Sequence, residues 1–267
     1  MSTTISASQV KELRDQTGAG MMDCKRALQD ANGDLELATR LLREKGIASA
    51  AKRAGRVTTE GKVGYRVAEA GDRGTIVGVG CETEPVSNND EFLAFAERVL
   101  DAVERDGPGA ESGLEQERVE LSAKLGENVV VAGAARFEAV DGARVDGYAH
   151  PPANKLGVLV QVRGGPDGLA RRIAMHIAAS APDWIGRDDV PADVVQAERE
   201  IFANSDEVQS KPEQAREKIV DGMLGKRFFG TRVLADQPWI HDTAKTVGQA
   251  LEEESAEVLE FERLQLG

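Results

Sequence analysis

The first 50 residues carry the three- and four-residue hydrophobic spacing that is typical of short amphipathic helices. Ser6 and Gln9 form a capping-box pattern ahead of the first helix, and a second helix is predicted over Met21–Ala31. Asp34 is placed to cap a third helix, and Gly46 is predicted to end it. Because the three helices carry few large apolar side chains, the bundle should be only marginally stable alone. We therefore predict that it serves as a docking module.

Beyond residue 60 the pattern changes to the two-residue period of β-strands. Val63, Tyr65 and Val67 share one face, residues 71–74 form a turn, and Thr75–Cys81 returns as a second strand. Two helices, the first capped by Asn89 or Asp90, and a strand around residues 129–131 complete the unit. The same order recurs from residue 144 to the end. We therefore predict a duplicated α+β unit, from the pattern and not from residue identity.

The second unit carries extra sequence between residues 182 and 242. Pro191–Asn204 and Pro212–Phe229 are predicted helices, each with proline near its first turn, and Ser205–Lys211 is predicted as the turn between them. We expect this antiparallel helix pair to project outward. The predicted domains are residues 1–54, 55–140 and 141–267, with the helical hairpin inserted at about 187–229.

The composition is that of an acidic globular protein. Its 267 residues include 46 acidic and 33 basic side chains, for a net charge of −13. This balance argues against broad nucleic-acid binding, which needs a basic surface. The longest apolar run, Val129–Ala135, is too short for a membrane helix. The polar, uncharged stretch Met1–Gln9 does not have the pattern of a signal peptide, so we expect a cytoplasmic protein.

Candidate catalytic patterns are incomplete. Gly78-Val79-Gly80 follows a strand, but Thr83 stands where a dinucleotide-binding fingerprint needs its third glycine. A thiol enzyme using Cys81 with His150 or His176 stays open, although no local feature supports an activated thiolate. We predict no enzyme activity, catalytic residue, metal or cofactor, and we expect Cys24 and Cys81 to be small buried side chains.

Basic side chains cluster between the predicted bundle and the first strand. Lys52, Arg53 and Arg56 could bind a partner or RNA, but a solvated linker over Ala48–Glu60 is the interpretation we prefer.

The run Leu13–Leu28, which reads LRDQTGAGMMDCKRAL, resembles the N-terminal signature of the bacterial elongation factor Ts family. The resemblance continues in the family's order over essentially the whole chain. It includes Asn32-Gly33-Asp34, Tyr148-x-His150, Gly157–Val160, Ile173–Ser180, Glu217–Val220, Gln237-Pro238 and Thr246-Val247.

The resemblance implies an α+β fold with a three-helix ubiquitin-associated-like bundle, two related core subdomains and an inserted antiparallel helical hairpin. It also implies a nucleotide-exchange factor for the GTPase elongation factor Tu, which the chain would bind in both the GDP-bound and the nucleotide-free form. Arg14, Met21 and Met22, with Lys25 of the same run, match positions that dock on the nucleotide domain of that partner. His150 matches a position near a second contact. No direct nucleic-acid or membrane contact is expected, and a homodimer stays open.

One predicted contact departs from the family pattern. Its second signature is usually Thr-Asp-Phe-Val, whereas this chain has Thr83-Glu84-Pro85-Val86. In the family the Phe inserts beside the partner's magnesium and phosphate site. Glu84 keeps the negative charge, but Pro85 cannot fill an aromatic pocket. Either the partner has adapted, or other contacts carry more of the displacement, or the chain binds elongation factor Tu as a holdase or regulator with weak exchange.

Overall fold

The computed structural model describes residues 5–140 and 142–267. The first four residues of the polar N-terminal stretch, and residue 141 at a predicted domain boundary, lie outside this description. Within it the chain combines helices with small antiparallel sheets, so the predicted α+β class is confirmed. None of the helices in those two ranges is long and apolar enough to cross a membrane.

Three helices, which we call the N-terminal module, open the chain: α1 (Ala7–Thr17), α2 (Met21–Asp30) and α3 (Leu35–Arg53). The predicted caps are confirmed. Ser6 Oγ accepts a hydrogen bond from the Gln9 amide at 3.2 Å, and Asp34 Oδ1 accepts one from the Leu37 amide at 2.9 Å. The inward faces of the helices form a small core of Val10, Leu13, Cys24, Ala27, Leu28, Ala31 and Ala38.

The first α+β unit has strands β1 (Glu60–Val67), β2 (Arg73–Cys81) and β3 (Val130–Glu138) and helices α4 (Glu84–Ser87), α5 (Asp90–Asp106) and α6 (Glu115–Leu125). A 3-10 helix, Ala110–Leu114, precedes α6. The antiparallel sheet has the order β1-β2-β3. Asn89 caps α5, as predicted, by accepting from the Phe92 amide at 3.3 Å. One face of the sheet packs on α5 and α6 through Val77, Val79, Phe92, Phe95, Val99 and Leu121.

The second unit has strands β4 (Ala143–Ala149) and β5 (Leu156–Gly164), helix α7 (Leu169–Ser180) and, after an insertion, helix α12 (Val247–Glu253) and strand β8 (Ala256–Gln265). A short hairpin, β6 (Pro238–Trp239) and β7 (Asp242–Thr246), precedes α12. The sheet order β4-β5-β8 again places the second strand at the centre. This shared order agrees with the repeat that the sequence pattern predicted.

The two sheets pack face to face, with the helices of each unit on the outside. Gly147 lies against the ring of Tyr65, where a Cβ atom would be 2.4 Å from the nearest ring atom. The missing side chain therefore lets the two backbones approach closely. The residues that fill the space between the sheets are Val63, Ile76, Ala135, Phe137, Val145, Leu159 and Leu266.

The sequence pattern predicted that α3 ends at Gly46, but the helix continues to Arg53. The prediction of a linker from residue 48 was therefore also wrong. Gly46 faces α6, where a Cβ atom would lie 2.9 Å from the Cβ of Ala123. Arg43 of α3 also pairs with Glu120 of α6 at 2.7 Å. Glycine weakens a helix interior by up to about 1 kcal/mol relative to alanine, and here the close packing of α3 on α6 offsets that cost.

The insertion contains α8 (Ala192–Ala203), α9 (Asp206–Gln209), α10 (Glu213–Met223), a π-helical segment Leu224–Phe229 and α11 (Gly230–Arg232). Two 3-10 turns, Arg187–Asp189 and Leu234–Asp236, flank it. The predicted turn at 205–211 thus holds a short helix. The insertion has its own apolar cluster, which includes Val190, Val208, Val220, Met223, Leu224 and Phe228. Its ends meet where Trp184 pairs with Val233.

Candidate partner-binding site

The start of α2 presents two large apolar side chains to solvent. Met21 is 59% exposed and Met22 is 65% exposed. Because adjacent residues on a helix point about 100° apart, the sequence predicts that one of these two methionines is exposed. Both are exposed in the structure, since Cys24 and Leu28 occupy the inward face of α2. Exposed methionines suit adaptable protein contacts. Arg14 and Lys25, the two cations predicted beside them, are also exposed.

The loop before α2 contacts the first α+β unit. Gly18 has φ = +66° and ends α1, and the Lys124 side chain of α6 lies over it. Lys124 Nζ in turn pairs with Glu91 Oε2 of α5 at 2.7 Å. These two contacts connect the start of α2 to the start of α5, three residues after α4. Lys124 therefore links the loop just before the exposed methionines to the helix that follows α4.

We call Thr83–Val86 the contact segment. Its position between a predicted strand and the helix that begins near Asn89 predicts a loop, but the structure has a single helical turn here instead. Thr83 is the N-cap of α4, and Glu84 begins this single helical turn. Pro85 fits there because the first turn of a helix has no internal partner for an amide hydrogen. Thr83, Glu84 and Pro85 are exposed, Val86 is half-buried against the α5 core, and Ser87 beneath them is buried.

Glu127, which the sequence analysis missed, holds the base of the contact segment. Its Oε2 accepts from the Glu82 amide at 3.1 Å and from the Thr83 amide at 3.0 Å. Its Oε1 accepts from Thr83 Oγ1 at 2.5 Å. The two partners are 44 residues apart in sequence, so no local signal could have shown the contact.

A second set of contacts ties the same base to the chain that enters β1. Glu82 Oε1 accepts from the Asn128 amide at 2.7 Å, and Asn128 Nδ2 donates to the Arg56 carbonyl at 2.9 Å. The Arg56 guanidinium also pairs with Glu82 at 3.4 Å. The three basic residues considered as a binding patch are thus divided: Lys52 and Arg53 lie in the last turn of α3, and Arg56 has an acidic partner.

Cys81 is buried below the contact segment and does not fit the thiol-enzyme alternative. Its thiol donates to the Thr83 carbonyl at 3.3 Å. Burial, and secondarily the charge of Glu127, raise the pKa of the Cys81 thiol to about 12, so the nucleophilic thiolate is disfavoured. His176 is fully buried and bonded to Gln237. Cys24 is buried as well, which confirms the expectation for both cysteines.

His150 is exposed immediately after β4, and its Nδ1 lies 2.8 Å from Tyr148 Oη. The loop that follows packs against the start of β1. The Asn154 carbonyl accepts from the Val63 amide at 2.6 Å, and Lys155 Nζ lies 3.0 Å from Glu60 Oε1. Because Glu60 pairs with Cys81 across the sheet, this loop lies at the sheet end that leads into the contact segment. Across the described residues, no group of three or more His, Cys, Asp or Glu is placed to hold a metal.

Comparison with known proteins agrees with this architecture. A family described as Elongation factor TS matches residues 82–267. Elongation factor Ts from Thioalkalivibrio sulfidiphilus (strain HL-EbGR7) is 42% identical over 99% of this chain and 92% of its own length. Elongation factor Ts from Escherichia coli O139:H28 (strain E24377A / ETEC) is also 42% identical, over 98% of this chain and 92% of its own length.

The long alignments include the N-terminal module, which lies outside the family match. The paired α+β units and these similarities place the chain among the bacterial translation elongation factors. It belongs to the elongation factor Ts family.

Proposed function

We propose that this chain is a guanine-nucleotide exchange factor that promotes GDP release from elongation factor Tu. Its family membership supports that partner. The observation that carries the mechanism is the contact segment, in which the exposed Glu84 and Pro85 follow a hydrogen-bonded, partly buried base. Such a segment can enter another protein's site without first paying the entropy of becoming ordered.

Exchange requires a difference in binding and no bond-making chemistry. A factor that binds the nucleotide-free GTPase more tightly than the GDP-bound form must weaken GDP binding by the same ratio. In this proposal Met21 and Met22 bury apolar surface on the nucleotide domain of the partner, flanked by Arg14 and Lys25. His150 makes the second contact. These docking contacts supply affinity, and the contact segment supplies the difference between the two partner states.

The carboxylate of Glu84 can produce this difference in affinity between the nucleotide-free and the GDP-bound partner. A carboxylate beside a magnesium and phosphate site competes for the cation, which prefers oxygen ligands, and repels the phosphate oxygens. Pro85 holds the backbone of the turn near φ = −65° but offers less apolar area than a phenylalanine. Thr83 and Val86 fix the two ends of the segment, through Glu127 and the α5 core respectively.

The alternative is a holdase or regulator of elongation factor Tu with weak exchange. Pro85, at the position where the resemblance implies an inserted aromatic ring, favours it. Such a protein would bind the GDP form and the nucleotide-free form about equally.

Release of fluorescent GDP from elongation factor Tu, followed by stopped flow against rising concentrations of the chain, separates the two proposals. Exchange predicts a release rate that rises and saturates. A holdase binds the partner while the release rate stays at its intrinsic value. Pro85→Phe should increase the maximal rate on an elongation factor Tu whose usual exchange factor carries the aromatic residue.

A further inference from the structure

The turn after α6 brings two polar residues against the contact segment from a distant part of the chain. Gly126 ends α6 with φ = +77°, and Glu127 and Asn128 follow it. Ser122, itself buried, donates through its hydroxyl to the Glu127 carbonyl. The backbone of Glu127 is therefore held by the end of α6, from which its side chain reaches the contact segment.

The Glu127 carboxylate satisfies three donors at the start of the segment: the amides of Glu82 and Thr83, and the Thr83 hydroxyl. Hydrogen bonds to an ionised carboxylate are about twice as strong as neutral ones. Both amides come directly after β2 ends at Cys81. Glu127 thus fixes the direction in which the chain leaves the sheet and enters α4.

Asn128 completes the arrangement from the other side. It is 2% exposed, its amide donates to Glu82, and its side chain donates to the carbonyls of Arg56 and Ala54. The same turn therefore holds both the contact segment and the connection from the N-terminal module. Displacing it would loosen the segment relative to the exposed methionines.

We infer that Glu127 is a positioning residue for the contact segment: it contacts no partner itself, but orients Glu84 and Pro85 for insertion. This inference rests on the proposed exchange function. Glu127→Ala removes the acceptor for all three donors. Glu127→Gln keeps an acceptor oxygen for the amides and offers its NH₂ group to the Thr83 hydroxyl, so it should preserve most of the geometry at lower strength.

The test compares these two variants with the wild-type chain and with Glu117→Gln. That control removes a carboxylate from α6, the helix that precedes Glu127, where Glu117 bonds Arg98 of α5. Two quantities are measured on the full chain. Hydrogen exchange measures how fast the Glu82 and Thr83 amide hydrogens are replaced in the free protein. Stopped-flow release of labelled GDP from elongation factor Tu reports the maximal rate and the half-saturating concentration separately.

For Glu127→Ala we expect amide exchange at residues 82–83 to accelerate by about ten-fold or more, since the acceptor of both amides is gone. The maximal release rate should fall by about ten-fold, and the half-saturating concentration should change by less than about three-fold, because the docking contacts are intact. Glu127→Gln should give intermediate values, and Glu117→Gln should match the wild type. A purely structural role would lower the melting temperature and leave the maximal rate unchanged.

Unchanged amide exchange in Glu127→Ala would overturn the positioning role, and faster amide exchange with an unchanged maximal rate would overturn its importance for release. If Glu127→Ala does not fold, Glu127→Gln decides on the same two readouts, and wild-type values in both would overturn the inference. A wild-type chain that fails to accelerate GDP release would refute exchange itself, while the amide measurement would still judge whether Glu127 orders the segment.

Discussion

Replacing Met21 and Met22 together with alanine should weaken binding to elongation factor Tu without destabilising the N-terminal module. The side chains are 59% and 65% exposed in the free chain. Full burial of a methionine contributes about 1.5–3 kcal/mol, so covering the remaining surface contributes about 1–2 kcal/mol per residue. Ordering the side chains at an interface offsets part of this, and we expect a loss of affinity of about ten- to a hundred-fold.

Isothermal titration calorimetry with nucleotide-free elongation factor Tu measures that loss, and circular dichroism during thermal unfolding measures stability. The double variant should unfold within about 0.5 kcal/mol of the wild type, as is usual for exposed positions. Leu28→Ala is the matched control, because Leu28 is fully buried in α2 and its truncation should cost about 2–5 kcal/mol of stability. Wild-type affinity in the methionine variant, or loss of the module's helical signal, would refute the docking role.

Two further predictions concern packing and protonation. Gly46→Leu should destabilise the chain by about 1–3 kcal/mol in urea unfolding, because even a Cβ atom there would crowd Ala123. The control, Gly222→Leu on the open surface of α10, should be neutral or stabilising. Equal effects of the two substitutions would contradict the α3–α6 contact. Burial lowers the pKa of His176, so the folded state resists its protonation and stability should fall as the pH drops below about 6.5. His176→Gln should flatten that pH dependence, and an unchanged slope would assign it to other groups.

Features that depend on neighbouring residues could be predicted from the sequence. The caps at Ser6, Asp34 and Asn89 use side chains within three residues of the amides that they bond. The outer strand β1 could be predicted from the alternation of Val63, Tyr65 and Val67, which face the inter-sheet core. The central strand β2 is instead a nearly continuous apolar run, because both of its faces are buried. Exposure of one methionine could be anticipated because adjacent helical residues cannot both lie at the centre of one small core, but exposure of both could not.

Features that depend on distant contacts could not be predicted. Gly46 looks like a helix end, and its role is visible only when Ala123 of α6 is known to lie beside it. Pro85 suggests a loop, but in the first turn of α4 it is compatible with a helix. Glu127 resembles any acidic residue after a helix, and its importance comes from the three donors that the fold brings to it.

The most direct test of exchange is to measure the affinity of this chain for nucleotide-free and for GDP-bound elongation factor Tu in the same buffer. Linkage requires that the ratio of the two dissociation constants equal the factor by which the chain weakens GDP binding. The exchange account predicts that the nucleotide-free form binds at least about ten-fold more tightly. Equal affinities for the two forms would contradict exchange and leave the chain a holdase.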